Sequence, residues 1–214
     1  MTVIGPLTTA CHVVNQYYPD EEVLGLDAAR VINQELRVLQ SEGVDIIQLD
    51  EPEFHFRPDQ VQRWGTQALD LAFEGIHVPT IVHICYGYAL IGRKTVDPNY
   101  GQALEAVAAS KADAISLEYE QPGHSPDLLR HCGKKSVVLG MNLGTQTVEE
   151  PGYIASRIPE ALAVVPPDRL DVGCGSCLER WHLVRSESSR WAPTLCATNL
   201  TEEKRSLSLN LCPI

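Results

Sequence analysis

Six short apolar runs alternate with longer amphipathic stretches along the chain, and this alternation predicts its architecture. The runs are TVIGPL (2–7), VDIIQLD (44–50), PTIVHIC (79–85), ADAISLE (112–118), KSVVLGMN (135–142) and DRLDVG (168–173). Their largely unbroken apolar character is typical of parallel strands that are covered on both faces. Apolar residues recur at helical spacing in the intervening stretches 25–43, 58–75, 100–110, 125–133 and 151–165. The pattern predicts an α/β fold of six β/α units, in which crossover helices join parallel strands.

The carboxyl ends of the predicted strands are rich in side chains that carry out chemistry. They hold Cys11 beyond the Gly5-Pro6 turn, Asp50 and Glu51, His83 and Cys85, Glu118, Asn142, and Cys174 with Cys177. In a parallel β/α barrel, active-site groups lie at this edge because the loops there vary around a packed interior. A hydrophobic core does not require such residues, so this edge is the predicted functional site.

His83 and Cys85 are candidate metal ligands. Residues two apart on a strand point to the same face, so both side chains can reach one ion. Zinc binds imidazole nitrogen, thiolate sulfur and carboxylate oxygen, and a catalytic zinc keeps one exchangeable position. Glu118 and a cysteine of the GCGSC loop, either Cys174 or Cys177, would complete the set. The Cys174-x-x-Cys177 pair is also compatible with a redox pair or with half of a structural zinc site.

Composition and charge narrow the range of partners. The 214 residues are 44% hydrophobic and 21% charged, which is enough for one domain with a substantial core. The formal net charge of -11 predicts a surface that repels nucleic acid and anionic membranes, so small molecules are the expected partners. No apolar run approaches the roughly 18–20 residues of a membrane span, and the N-terminus lacks the charged region of a signal peptide. We therefore expect a cytoplasmic protein, in which seven irregularly spaced cysteines favour metal ligation, a nucleophile or buried thiols over disulfides.

Two groups of residues are expected to lie outside the site. The stretch 186–214 is rich in Ser and Thr and has weak periodicity, so we interpret 1–185 as a partial barrel and 186–214 as a divergent, poorly ordered tail. The remaining histidines with no partner at a useful spacing are His55, His77, His124, His131 and His182. They are expected at the surface or in loops.

Four linked motifs give the chain a resemblance to a known family. DIIQLDEPEF, VHICYG, DAISLE and the run VVLGMNLGTQTVEEPGYIASRIPEALAVVPPDRLDVGCG resemble the C-terminal catalytic domain of cobalamin-independent methionine synthase. The resemblance covers about residues 3–180 and implies a (β/α)8 TIM barrel that transfers a methyl group from a methylated folate to the zinc-bound thiol of homocysteine. It implies that His83, Cys85 and Glu118 are zinc ligands and that Asp50 holds the amino group of homocysteine. Glu51 is a further candidate for orienting the amino acid.

The chain departs from the family pattern at three places. Counting without gaps puts Ser176 where the family has its last cysteine ligand, so either Cys174 or Cys177 would serve, with Cys174 slightly favoured. The proton-donating histidine of the family falls on Gly144. The first two barrel strands of the family precede anything in this chain, so the six units match strands three to eight. Either a partner chain or a second copy closes the barrel, or the chain is a truncated product.

The resemblance implies an enzyme, a zinc-dependent methyltransferase that acts on a small-molecule thiol and a methyl donor. A methylated folate and a methylcorrinoid are both candidate donors. Alkyl transfer to another thiol, as in epoxide–coenzyme M transferases, is an alternative within the same fold. A different class of alternative is a non-catalytic remnant or partner subunit that retains the half-barrel.

Overall fold

Six parallel strands form one sheet in the order in which they occur along the chain. The computed structural model describes residues 1–86, 97–141 and 150–173. The strands are β1 (Thr2–Ile4), β2 (Ile47–Asp50), β3 (Thr80–Ile84), β4 (Ala114–Glu118), β5 (Ser136–Gly140) and β6 (Leu170–Gly173). Each pairs in parallel with the next. The prediction of six β/α units is confirmed.

Helices connect these strands. They are α1 (Pro6–Cys11), α2 (Glu21–Ser41), α3, α4 (Tyr100–Ala109) and α5 (Pro151–Leu162). Helix α3 runs without a break from Pro58–Gln60 through the π-helical turn Val61–Gly65 into Thr66–Ala72. Single 3₁₀ helices lie at Pro52–Phe54, Pro126–Cys132 and Pro167–Arg169. Over the ranges that the structure describes, no helix is long and apolar enough to cross a membrane.

Several predicted boundaries need correction. Strand β1 ends at Ile4 rather than at residue 7, because Pro6 begins α1. Proline is favoured at the first helical position, where its missing N–H costs no hydrogen bond. Helix α2 begins four residues earlier than predicted, since the side chain of Asp20 accepts the N–H of Val23 at 2.9 Å and caps the helix. The predicted helix at 125–133 is the 3₁₀ helix Pro126–Cys132.

Some predictions fall on other parts of the chain. Asn142, Gly144, Cys174, Ser176, Cys177 and the tail 186–214 lie outside the described residues. The domain boundary at residue 185 therefore stays a prediction.

The two faces of the sheet differ in polarity because side chains alternate along each strand. One face packs against the helices and carries side chains with no exposed surface, namely Ile47, Leu49, Val82, Ile84, Ile115, Leu117, Val137 and Leu139. The other, which we call the polar face, carries Gln48, Asp50, His83, Ser116 and Glu118. The chemically active residues of the strands therefore share one side of the sheet, opposite the hydrophobic core.

Helices α2 and α3 pack through a glycine. Trp64 of α3 is 2% exposed, and a Cβ on Gly25 of α2 would lie 2.2 Å from its ring atom Cζ3. The amide of Asn33 donates to the carbonyls of Ala72 and Glu74, both at 2.8 Å, and ties α2 to the end of α3. The close approach of Trp64 to Gly25 explains why glycine, a residue with poor helix propensity, lies inside α2.

We predict that Gly25→Ala destabilises the chain by about 1–3 kcal/mol, because the added methyl overpacks the helix interface against Trp64. Gly152→Ala in α5 is the matched control, since nothing lies within 4 Å of its added Cβ. Helix propensity alone would make both changes stabilising by up to about 1 kcal/mol. Denaturant unfolding measures the difference, and equal stabilisation of both variants would contradict the packing argument.

Candidate active site

Asp50, His83 and Ser116 form one row across the polar face. The parallel register pairs Asp50 with His83 and His83 with Ser116, so the three side chains stand side by side on β2, β3 and β4. Nδ1 of His83 lies 2.9 Å from Oγ of Ser116, and Oδ1 of Asp50 accepts Nε2–H of Gln48 at 2.9 Å. The sheet register thus orients both the ring and the carboxylate.

His83 is buried, with 6% of its surface exposed. Burial lowers the pKa of His83, because desolvation disfavours the imidazolium, and the nearby Asp50 carboxylate opposes this shift. A lowered pKa keeps the ring neutral near pH 7. The neutral imidazole is the form that binds metal ions.

Cys85 and Glu118 lie two residues beyond His83 and Ser116, with Glu118 at the end of β4 and Cys85 just past the end of β3. Ile84 pairs with Leu117, so the next residues in line are Cys85 and Glu118. Cys85 is buried with 1% exposure, and Glu118 is fully buried. Tyr86 stacks on Tyr100 of α4, with ring centroids 4.7 Å apart and planes 5° apart, so Tyr86 points to the helix side. Alternation continued from β3 predicts that Cys85 points to the polar face with His83.

The donors therefore match a zinc site in chemical type and in face. Imidazole, thiol and carboxylate are the groups that zinc takes, and Cys174 and Cys177 lie outside the described residues. In 1–86, 97–141 and 150–173, no three His, Cys, Asp or Glu side chains are grouped closely enough to hold a metal ion. The fit thus rests on donor type and register rather than on a preformed cage.

Glu51 turns away from the row that contains Asp50. Its carboxylate accepts the N–H groups of Leu7 at 3.0 Å and Thr8 at 2.8 Å, and the hydroxyl of Thr8 at 2.6 Å. The two N–H groups belong to the first turn of α1, where the helix itself offers them no acceptor. Glu51 therefore caps the N-terminal end of that helix. Burial raises the pKa of Glu51 to about 7, although the bonds from Thr8 and Leu7 favour the charged form. Its predicted contact with a substrate stays a prediction.

A buried aromatic cluster lies behind Cys85 and Glu118, on the helix side of the sheet. It consists of His55, Tyr86, Tyr100 and His124, whose rings lie 4.7 to 5.8 Å apart by centroid. His55 and His124 lie in loops, as one of the two expected positions, but they are not at the surface, since they are 0% and 3% exposed. The sequence gives no spacing signal for this cluster, because its members come from four separate segments of the chain.

The comparison with known proteins decides the family. A profile described as "Cobalamin-independent synthase, Catalytic domain" matches residues 3–188, which is most of the chain. This chain belongs to the cobalamin-independent synthase family. The resemblance noted in the sequence is confirmed, and the family match extends from β1 past the end of β6.

Methionine synthases are among the curated relatives of this family member. That of Saccharolobus solfataricus is 31% identical over 181 residues, which are 82% of this chain and 51% of that protein. That of Sulfurisphaera tokodaii is 28% identical over 178 residues, which are 82% of this chain and 49% of that protein. The chain thus spans about half the length of the curated relatives it matches.

Solved structures share the fold. A B12-independent methionine synthase from Shewanella sp. W3-18-1 in complex with selenomethionine superposes with a TM-score of 0.79 at 30% identity, over 91% of this chain and 61% of that one. A putative vitamin-B12 independent methionine synthase from Listeria monocytogenes, 21% identical, has a TM-score of 0.66 and shares the fold. The sheet of this chain therefore corresponds to part of a TIM-barrel domain, as predicted.

We predict that Glu51→Gln lowers the free energy of unfolding by about 1–3 kcal/mol. An amide places an N–H donor against the donors of Leu7 or Thr8, which leaves a buried group unsatisfied. Glu42→Gln, at an exposed position after α2, is the control and should be near neutral. Denaturant unfolding measures both, and a wild-type value for Glu51→Gln would show that the carboxylate does not hold α1.

We also predict a loss of stability in acid that depends on His124. Burial lowers the pKa of His124 from 6.5 to about 4, so the unfolded chain takes up a proton first as the pH falls. Keeping His124 neutral in the folded chain contributes fully to the free energy of unfolding above pH 6.5, and this contribution is lost as the pH falls toward 4. At pH 5 the free energy of unfolding has fallen by about 2 kcal/mol for this reason. The free energy of unfolding of His124→Gln should fall less steeply between pH 7.5 and 5 than that of the wild type. His77→Gln, at an exposed position, should keep the wild-type slope.

Proposed function

We propose that this chain provides the zinc-binding side of a methionine synthase-type active site and supports methyl transfer to a thiol such as homocysteine, forming methionine. The observation that carries the proposal is the register of Asp50, His83 and Ser116, with Cys85 and Glu118 next in line. These residues lie at the carboxyl ends of parallel strands, where barrel enzymes place catalytic groups. The Shewanella relative in complex with selenomethionine supports a site for an amino acid of this type.

His83, Cys85, Glu118 and one of Cys174 and Cys177 would hold the zinc ion. A bound ion supplies a Lewis acid that favours ionisation of the substrate thiol, whose pKa in water is about 8.5. Ser116 fixes the ring of His83 through Nδ1, which leaves Nε2 as the nitrogen for an ion. This assignment makes Ser116 part of the support of the site.

Asp50 would bind the amino group of the acceptor. Its carboxylate is only half-buried and lies beside His83 in the register, so a cationic amine can reach it close to the ion. Holding the amino group there positions the sulfur for attack on the methyl carbon. The transfer forms a sulfur–carbon bond and breaks the bond between the methyl group and its donor. With a folate donor, the departing nitrogen takes a proton from water or from a group outside the described residues.

The first test is metal stoichiometry. Elemental analysis of the zinc-loaded, desalted chain should find about one ion per chain, and Cys85→Ser or His83→Gln should lose it. Cys11→Ser is the control, because Cys11 lies at the end of α1 and not on the polar face. Retention of a full equivalent by Cys85→Ser would contradict the proposed ligand set.

The second test separates an enzyme from a non-catalytic relative. Homocysteine should change the visible spectrum of the cobalt-substituted chain, and Asp50→Asn should weaken this response with little change in metal content. Methionine formation is then assayed with a methylated folate and with a methylcorrinoid. Metal binding without any homocysteine response would favour a non-catalytic chain that retains the ion.

A further inference from the structure

One phenol hydroxyl joins the ends of the two strands that present Cys85 and Glu118. The hydroxyl of Tyr100 donates to the carbonyl of Ile84 at 2.5 Å and accepts the N–H of Glu118 at 3.1 Å. Tyr100 is fully buried at the start of α4, on the helix side of the sheet. Tyr100 of helix α4 thus hydrogen-bonds to the backbone at the ends of both β3 and β4.

A second side chain fixes the same segment from β2's side. Nε2–H of His55 donates to the carbonyl of Cys85 at 3.1 Å, and Nδ1 lies 3.4 Å from Oδ2 of Asp97. The ring of Tyr86 stacks on Tyr100, and its hydroxyl meets Nε2 of His124 at 2.9 Å. Three successive residues, 84 to 86, are therefore held from the helix side while Cys85 points to the opposite, polar face.

We propose that Tyr100, assisted by His55, is a positioning residue that sets the backbone at Cys85 and Glu118 and thereby their approach to a shared ion. The proposal rests on the proposed function for the identity of the ion. Its basis is the two hydrogen bonds of one hydroxyl to adjacent strand ends, together with the bond from His55 to the carbonyl of Cys85. Burial raises the pKa of Tyr100 well above its usual value, so the hydroxyl keeps the proton that it donates.

The arrangement is more than core packing, because a phenylalanine would fill the same space. The carbonyl of Ile84 and the N–H of Glu118 both need a partner in a dry site, and the hydroxyl supplies both at once. A backbone held at two points on adjacent strands keeps the following side chains within a narrow range of positions. Groups that support metal ligands in this way typically change metal affinity by about 10–100-fold when removed.

The test uses Tyr100→Phe in the 214-residue chain with two readouts. The first is the dissociation constant for zinc, measured by competition with a chromophoric chelator, which should rise by about 10–100-fold. The second is the alkylation of Cys85 in metal-free protein by a thiol reagent, located by peptide mass spectrometry. We expect roughly tenfold faster reaction as the strand end loosens.

Cys132 is an internal control in the same digest. It is 1% exposed at the end of Pro126–Cys132, which packs against α4, and it makes no contact with the Tyr100 hydroxyl among the hydrogen bonds of the described residues. General destabilisation accelerates both thiols, whereas loss of positioning accelerates Cys85 alone. Val107→Ala, a core change elsewhere on α4, is the matched variant and should leave the ratio of the two rates and the zinc affinity unchanged.

The outcomes separate the two proposals. Equal acceleration of both thiols, wild-type rates, or unchanged zinc affinity in a zinc-binding chain each overturns the role of Tyr100 and leaves the proposed function standing. If the wild-type chain binds no zinc, the proposed function fails, and the Cys85 to Cys132 ratio alone decides whether Tyr100 positions the strand end.

A second pair of variants applies if Tyr100→Phe does not fold. His55→Leu removes the donor to the carbonyl of Cys85, whereas His55→Gln retains an N–H donor. Faster alkylation of Cys85 in His55→Leu, restored in His55→Gln, supports positioning. The same rate in both variants contradicts it.

Discussion

The in-register parallel pairing of β2, β3 and β4 is the constraint on which the candidate site depends. It puts Asp50, His83 and Ser116 in one row, and it makes Cys85 and Glu118 the next neighbours. A shift of one residue in any of these strands would send its polar side chains into the helix layer and its apolar ones to the polar face. The fully buried apolar residues on the helix side oppose such a shift, so the hydrophobic core also sets the geometry of the chemistry.

Asp50 and Glu51 show how one residue of separation decides a role. Both are carboxylates at the end of β2, but they point to opposite sides of the sheet. Asp50 lies beside His83, whereas Glu51 is fully buried against the first turn of α1. Consecutive acidic residues in a strand-end motif therefore need not share a function. Here Asp50 is half-buried beside His83, and Glu51 joins the β1–α1 connection to β2.

Much of the fold follows from the sequence, because unbroken apolar runs and helical spacing report burial directly. All six strands could be predicted from apolar runs that alternate with stretches of helical spacing, and a period of two residues predicted a common face for His83 and Cys85. The early end of β1 was missed because the run TVIGPL is largely apolar. The preference of proline for the first helical position makes Pro6 the start of α1 and so ends the strand earlier. The roles of His55, His124 and Tyr100 could not be predicted, since they depend on contacts between distant segments that no local pattern encodes.

The π turn at Val61–Gly65 has a consequence for how this helix can change in length. It adds one residue to a turn of α3, upstream of the segment that buries Ala68, Leu69 and Ala72. Deleting a single residue there would turn the π turn into an ordinary α turn and leave the downstream segment in phase with the core. A deletion within Thr66–Ala72 would instead rotate the residues that follow it by about 100°. The π turn is therefore the place along α3 where the residue count can fall by one while the downstream side chains stay in the core.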